Sequence, residues 1–256
     1  MYPYRQGVED RELHGLNGQA LGGVAIGIIL FARAGGGLPP GSVENALTFN
    51  YPVLFQPIKA ASVKAVVSPT LDPEVLSQLI EAGLYLEQQG CRAIIGACGY
   101  FANYLPEVVK KLHKPCFFSS LMQMPLIFNC LRPEQKVGIL CADGSVLQSA
   151  SVLKNCGVDD TSRIVIAGAE VLPEMKKILA DSGSHNPKTL ENELVELGRD
   201  MVEREPDIGA LLLECTLFPT HAWAIQEALQ LPTFDFATLI DWVHSSVVRR
   251  QYPGYM

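Results

Sequence analysis

Ile-Gly-Ala-Leu-Leu-Leu-Glu-Cys-Thr-Leu-Phe, residues 208–218, is an apolar run that closes on Glu214, Cys215 and Thr216, with a helical pattern opening at Pro219. Such a run bounded by a helix start predicts a buried parallel strand that delivers a cysteine to the first turn of a helix. A thiol in that position lies near the positive end of the helix dipole and beside backbone N–H groups without intrahelical partners. Both favour thiolate, which makes Cys215 a candidate base or nucleophile.

The same device occurs earlier. Ala93-Ile94-Ile95-Gly96-Ala97-Cys98-Gly99-Tyr100-Phe101 is again an apolar run, a cysteine and a helix start. A shift of 117 positions, from 98 to 215, lays Cys98 on Cys215, Phe101 on Phe218, Leu112 on Leu229 and Pro115 on Pro232. After each proline an apolar strand resumes, Cys116-Phe117-Phe118 in one copy and Thr233-Phe234 in the other. Two strand–cysteine–helix–strand units predict two similar half-domains. If these face each other about a pseudo-twofold axis, the two thiols flank one cleft.

Bulk properties narrow the function. The chain has 256 residues, 48% hydrophobic and 18% charged, which is ordinary globular composition. Its net charge of −7, with basic residues scattered apart from Arg249-Arg250, argues against nucleic acid as a partner. The apolar run at 24–32 is too short to cross a bilayer, so no membrane association is expected. Glu9, Asp10 and Glu12 precede it and no cleavage pattern follows, unlike a signal peptide. Seven cysteines, an odd number set mostly in apolar runs, favour reduced thiols and a cytoplasmic location. The chain has no C-x-x-C and no histidines at ligand spacing, so no metal is expected.

Taken in order, residues 1–23 read as a polar, glycine-rich arm and 24–31 as the first strand. Residues 32–41 form a glycine-rich loop without the G-x-G-x-x-G spacing of a nucleotide site. Arg33 in that loop is either a surface cation or a partner for a substrate carboxylate. Residues 63–68 read as a second strand, and Asp72-Pro73 opens a helix to about 89. Residues 119–131 read as a helix interrupted by Pro125, 136–141 as a strand and 145–155 as a helix. A strand at 163–167, a helix at 190–205, the Cys215 strand and a last helix at 236–250 complete the alternation. The fold class expected is α/β: two similar Rossmann-like domains with parallel sheets related by pseudo-twofold symmetry, the active site in the cleft between them. The first domain is assigned residues 24–120 plus 222–256, and the second 121–221.

A single buried cysteine is usually packing, and Cys91, Cys116, Cys130, Cys141 and Cys156 fit that reading. Cys98 and Cys215 depart from it together, since both occupy a strand-to-helix turn in equivalent repeats. Glu214 ends a strand, where a charge must be paired or face a cleft, so it either tunes the thiol or forms a salt bridge. Thr216 either caps the helix or donates to a substrate carboxylate. His221, six residues past Cys215, points away from the thiol and reads as a surface or interface residue.

The two cysteine segments resemble the aspartate/glutamate racemase superfamily, in which two like α/β domains each supply a cysteine to the substrate. The family pattern is Cys-Asn-Thr in the first half and Gly-Cys-Thr in the second; here these are Cys98-Gly99-Tyr100 and Glu214-Cys215-Thr216. Residues 40–53, Pro-Gly-Ser-Val-Glu-Asn-Ala-Leu-Thr-Phe-Asn-Tyr-Pro-Val, are similar to a racemase-like branch of undefined substrate. The likeness runs from Val24 onward. It departs at Gly99-Tyr100, where Asn-Thr would help hold substrate, and at Leu217, where amino-acid racemases often carry histidine. Tyr100 there either narrows the pocket, donates a hydrogen bond or packs. The resemblance implies a cofactor-independent enzyme, a small carboxylate substrate and a homo-oligomer such as a dimer. Cys98 and Cys215 would be acid and base, with Gly99, Tyr100, Thr216, Glu214 and Arg33 around the substrate. Racemisation or epimerisation at the carbon α to a carboxylate is the leading expectation. A lyase like the algal dimethylsulfoniopropionate lyases, an arylmalonate-type decarboxylase, a maleate-type cis–trans isomerase and a non-catalytic carboxylate binder are the alternatives.

Overall fold

A computed structural model describes residues 15–31, 37–60, 62–68, 70–149, 151–250 and 252. The chain forms two four-stranded parallel sheets. The first comprises β1 (Ile26–Phe31), β2 (Val53–Ile58), β3 (Ala93–Gly96) and β4 (Cys116–Phe117), in the order β2-β1-β3-β4. The second comprises β5 (Lys136–Cys141), β6 (Ile164–Gly168), β7 (Ile208–Leu213) and β8 (Thr233–Phe234), in the order β6-β5-β7-β8. The identical strand order is the sequence repeat in tertiary form, and it extends the repeat to the outer strands.

The helices are α1 (Val63–Val66), α2 (Pro73–Gln88), α3 (Leu105–Val108), α4 (Met124–Cys130), α5 (Gly144–Ser149), α6 (Val152–Asn155), α7 (Pro173–Leu179), α8 (Pro187–Arg204), α9 (Ala222–Leu229) and α10 (Phe236–Val247). In α2, Asp72 accepts from the Glu74 N–H and Pro73 supplies a first-turn φ, while Val75, Leu79, Ala82 and Leu86 form the buried stripe. In α8, Asn186 caps Lys188 and Thr189, and Leu190, Leu194, Gly198 and Met201 face inward. Alternation along β1 sends Ile26 and Ile28 to a core shared with Phe236, Leu239, Ile240 and Val243 of α10. Ile29 joins the opposite core with Leu79 and Leu86. A strand covered on both faces is apolar throughout, which is why β1 and β7 read as continuous hydrophobic runs.

Several elements differ from expectation. Residues 63–66 are helix α1, because Ser62 accepts from the Ala65 N–H and starts a turn. The second strand is β2, ten residues earlier, where Gln56 and Pro57 mask an apolar run; it lies at the sheet edge, where a proline is tolerated. Pro125 stands in the first turn of α4 instead of interrupting it. The helix expected at 145–155 is split into α5 and α6. Beyond residue 221, α9 packs on α8 and β8 pairs with β7, while α10 packs on the first sheet. Asp235 starts α10 with a capping box shared with Thr238. Among the described residues no helix is long and apolar enough to cross a membrane.

Candidate active site

Each cysteine stands just beyond the carboxyl end of an inner strand, Cys98 after β3 and Cys215 after β7. Open parallel sheets bind ligands at this edge. The two are equally enclosed, each 8% exposed. In each copy the cysteine carbonyl accepts from the N–H three residues on, Phe101 to Cys98 and Phe218 to Cys215, both at 3.0 Å. These are 3-10 turns, Gly99–Asn103 and Phe218–His221, and not the α-helix starts expected from the sequence. Proline explains the second: Pro219 has no N–H to offer the Cys215 carbonyl, so Phe218 bonds it instead. In the first copy Pro106 likewise leaves the Ala102 carbonyl open, and it accepts from Asn155 Nδ2 of α6 at 2.9 Å. Polarisation of the thiols therefore cannot be credited to an α-helix dipole at either turn.

Gly99 and Glu214 bring the two turns together. Gly99 follows one cysteine and Glu214 precedes the other, and the Glu214 side chain fills the space where a residue 99 side chain would begin. A Cβ at 99 would lie 1.9 Å from Oε1 and 2.8 Å from Cγ of Glu214. Only glycine permits this approach. Glu214 Oε2 accepts from the Ala142 N–H at 3.1 Å, while Oε1 has no hydrogen-bond partner among the described residues. Burial pushes this carboxyl up to about 7; the Ala142 N–H pulls it down and the charge of Asp143 pushes it further up. No salt bridge holds it among the described residues, so of the two roles weighed for Glu214 the ion pair is not realised.

Tyr100 reaches from the first half to the second. Its hydroxyl donates to the Asp143 carbonyl at 2.7 Å and accepts from the Asp143 N–H at 3.0 Å. Burial, then the charge of Glu214, push its phenol far above the ordinary value, so it stays a neutral donor. Thr216 is not a helix cap. Its hydroxyl donates to Glu44 Oε1 at 2.8 Å, and its carbonyl accepts from the Val43 N–H at 3.1 Å. Gly41, at φ +103°, lets this loop lie on the Thr220 backbone, 2.5 Å from where its Cβ would be. Glu44, Ala142 and Asp143 therefore hydrogen-bond candidate site residues although sequence reasoning did not select them. Glu44 lay within the quoted 40–53 stretch, but nothing local marks its partner 172 residues away.

Arg33 lies outside the described residues. His221 is buried and not at the surface; its Nδ1 lies 3.6 Å from Glu191 Oε2 of α8. Cys91, Cys116, Cys141 and Cys156 are buried, and burial pushes their thiols up, to about 11 for Cys91 and about 12 for Cys116 and Cys156. Cys130 is exposed. No group of three or more His, Cys, Asp or Glu among the described residues is placed to hold a metal ion.

No family model matches the sequence. Two curated proteins of Emiliania huxleyi (strain CCMP1516), dimethylsulfoniopropionate lyases 3 and 6, are 29% and 30% identical to it over 219 residues. Those alignments cover 82% of this chain and 57% of each relative, so the chain spans less than two thirds of their length. Among solved structures, Picrophilus torridus aspartate racemase superposes with a TM-score of 0.55 at 15% identity, covering 90% of this chain and 96% of its own. Unliganded arylmalonate decarboxylase gives 0.53 at 18%, covering 91% and 97%. A glutamate racemase from Bacillus anthracis gives 0.51 at 16%, covering 88% and 84%. The two-sheet architecture is the fold that these two racemases and arylmalonate decarboxylase share.

Proposed function

We propose that this chain is a cofactor-independent enzyme in which one thiol of the Cys98/Cys215 pair removes a proton from the carbon α to a carboxylate. The observation that carries this reading is the pairing of two equivalent strand-end cysteine turns by the contact between Gly99 and Glu214. A proton α to a carboxylate is weakly acidic, and its removal leaves a carbanion whose charge spreads onto the carboxylate oxygens. Backbone N–H groups at Gly99 and Thr216 are the donors we assign to that charge. Tyr100 and Glu44 serve as joints that hold the two turns in register. Arg33 is kept as the candidate cation for the substrate carboxylate.

The carbanion has two fates. In elimination the thiolate takes the α-proton, the freed electron pair becomes a Cα–Cβ double bond, and the β-substituent leaves with the electrons of its bond. A β-sulfonium leaves as a neutral thioether, the product is an unsaturated carboxylate, and the thiol later returns the proton to solvent. In racemisation the second thiol delivers a proton to the opposite face. The sequence likeness to dimethylsulfoniopropionate lyases favours elimination as the first reading, ahead of the racemase expectation. The racemase folds of the structural neighbours support the second reading.

The test offers dimethylsulfoniopropionate and a panel of chiral carboxylates to the wild type, Cys98→Ser and Cys215→Ser in deuterated solvent. A lyase releases dimethyl sulfide; a racemase washes deuterium into the α position; a carboxylate binder does neither. Both serine variants are expected to lose turnover while keeping the wild-type circular dichroism. A variant that retains near wild-type rate would leave a single-cysteine mechanism and end the two-thiol reading.

A further inference from the structure

Glu214 is an ionisable group for which the reaction above has no step. It is 1% exposed, and among the described residues its carboxyl has one hydrogen-bond partner, the Ala142 N–H. The groups facing it are the Tyr100 phenol from the first cysteine turn, Cys141 and Asp143 at the end of β5, and Cys156 behind α6. Cys215 follows it directly. All of these are neutral or acidic, so an ionised Glu214 would be a buried charge answered by one N–H. The protonated acid avoids that cost, and burial accordingly pushes the carboxyl up to about 7. Oε1 lies against Gly99, one residue from Cys98, and the backbone joins the acid to Cys215.

Building on the two-thiol reading, we propose that Glu214 is a positioning residue set between the two cysteine turns. It carries a proton in the active form, and on losing it places a negative charge in the joint between the two cysteine turns that makes each thiol harder to ionise. A like charge in a buried site disfavours thiolate. The acid thereby couples both thiols to one proton and gives the pair a common alkaline limit. Its contact with Gly99 ties that control to the register of the two halves.

Residue-resolved alkylation by iodoacetamide, followed by mass spectrometry at Cys98 and Cys215, reads the thiols without any substrate. Glu214→Gln keeps the shape and an acceptor for the Ala142 N–H but cannot ionise. At pH 5.5 the variant and wild type are expected to alkylate at the same rate. At pH 8 the variant is expected to be faster at both cysteines by roughly tenfold. A rate ratio that does not change with pH would overturn the proposal. If Glu214→Gln fails to fold, the wild type labelled with 13C at its glutamate carboxyls gives the answer. One carboxyl titrating near pH 7 is expected, and none between pH 6 and 8 would overturn the idea. Turnover that survives in a Cys→Ser variant counts against the two-thiol reading alone, because the alkylation ratio does not depend on catalysis.

Discussion

A methyl group at position 99 tests directly how the two halves meet. Gly99 lies outside the left-handed backbone region, so alanine brings only its Cβ. That atom would stand 1.9 Å from Oε1, 2.6 Å from Cδ and 2.8 Å from Cγ of Glu214. Favourable contact needs about 3.5 Å, so relief takes a displacement of roughly 1.5 Å at the carboxylate oxygen. Glu214 has little room for it, being enclosed on all sides and held at Oε2 by Ala142. Overpacking of this kind costs about 1–3 kcal/mol, and loss of the Ala142 hydrogen bond adds about 1 kcal/mol. Gly99→Ala is therefore expected to destabilise by about 2–4 kcal/mol. Glu214→Ala deletes all three clashing atoms, so in the double variant the methyl enters space already vacated. Equilibrium urea unfolding of the four proteins should give a coupling energy of about 1–3 kcal/mol in the relieving direction. Costs that add to within about 0.5 kcal/mol would refute the steric key between the halves.

Two further expectations follow from the same joint. Tyr100→Phe removes both hydrogen bonds to the Asp143 backbone and should cost about 1–2 kcal/mol in urea unfolding; wild-type stability would show that the phenol is not needed as a tie. For pH, Glu214 titrates near 4.5 when unfolded and near 7 when folded, so between those values the native state binds more protons than the unfolded chain. Its contribution to stability is then fully present below about pH 4.5 and is lost as pH rises through 7, by about 3 kcal/mol in all. Glu214→Gln should flatten that part of the stability profile, and an unchanged slope between pH 5 and 7 would exclude Glu214 as its source.

The sequence alone determined the duplicated α/β plan, because an inner parallel strand is buried on both faces and must be apolar throughout. The runs at 93–97 and 208–213 carry that mark, and the cysteine ending each is visible at one spacing. Local chemistry also fixed α2, α8 and α10, whose caps at Asp72, Asn186 and Asp235 act within a few residues. The edge strand β2 was hidden because Gln56 and Pro57 break its pattern, and α1 was misread because Ser62 outweighs a short β-branched run. Tertiary structure decided the rest of the site. Glu44 with Thr216, Tyr100 with Asp143, and Glu214 with Gly99 are pairs separated by more than 40 residues, and no period or spacing connects them. A carboxyl acquires its proton affinity from the dielectric and partners that folding assembles around it. The formula Glu-Cys-Thr therefore named the residues, and only the approach of the two turns put Glu214 against Gly99.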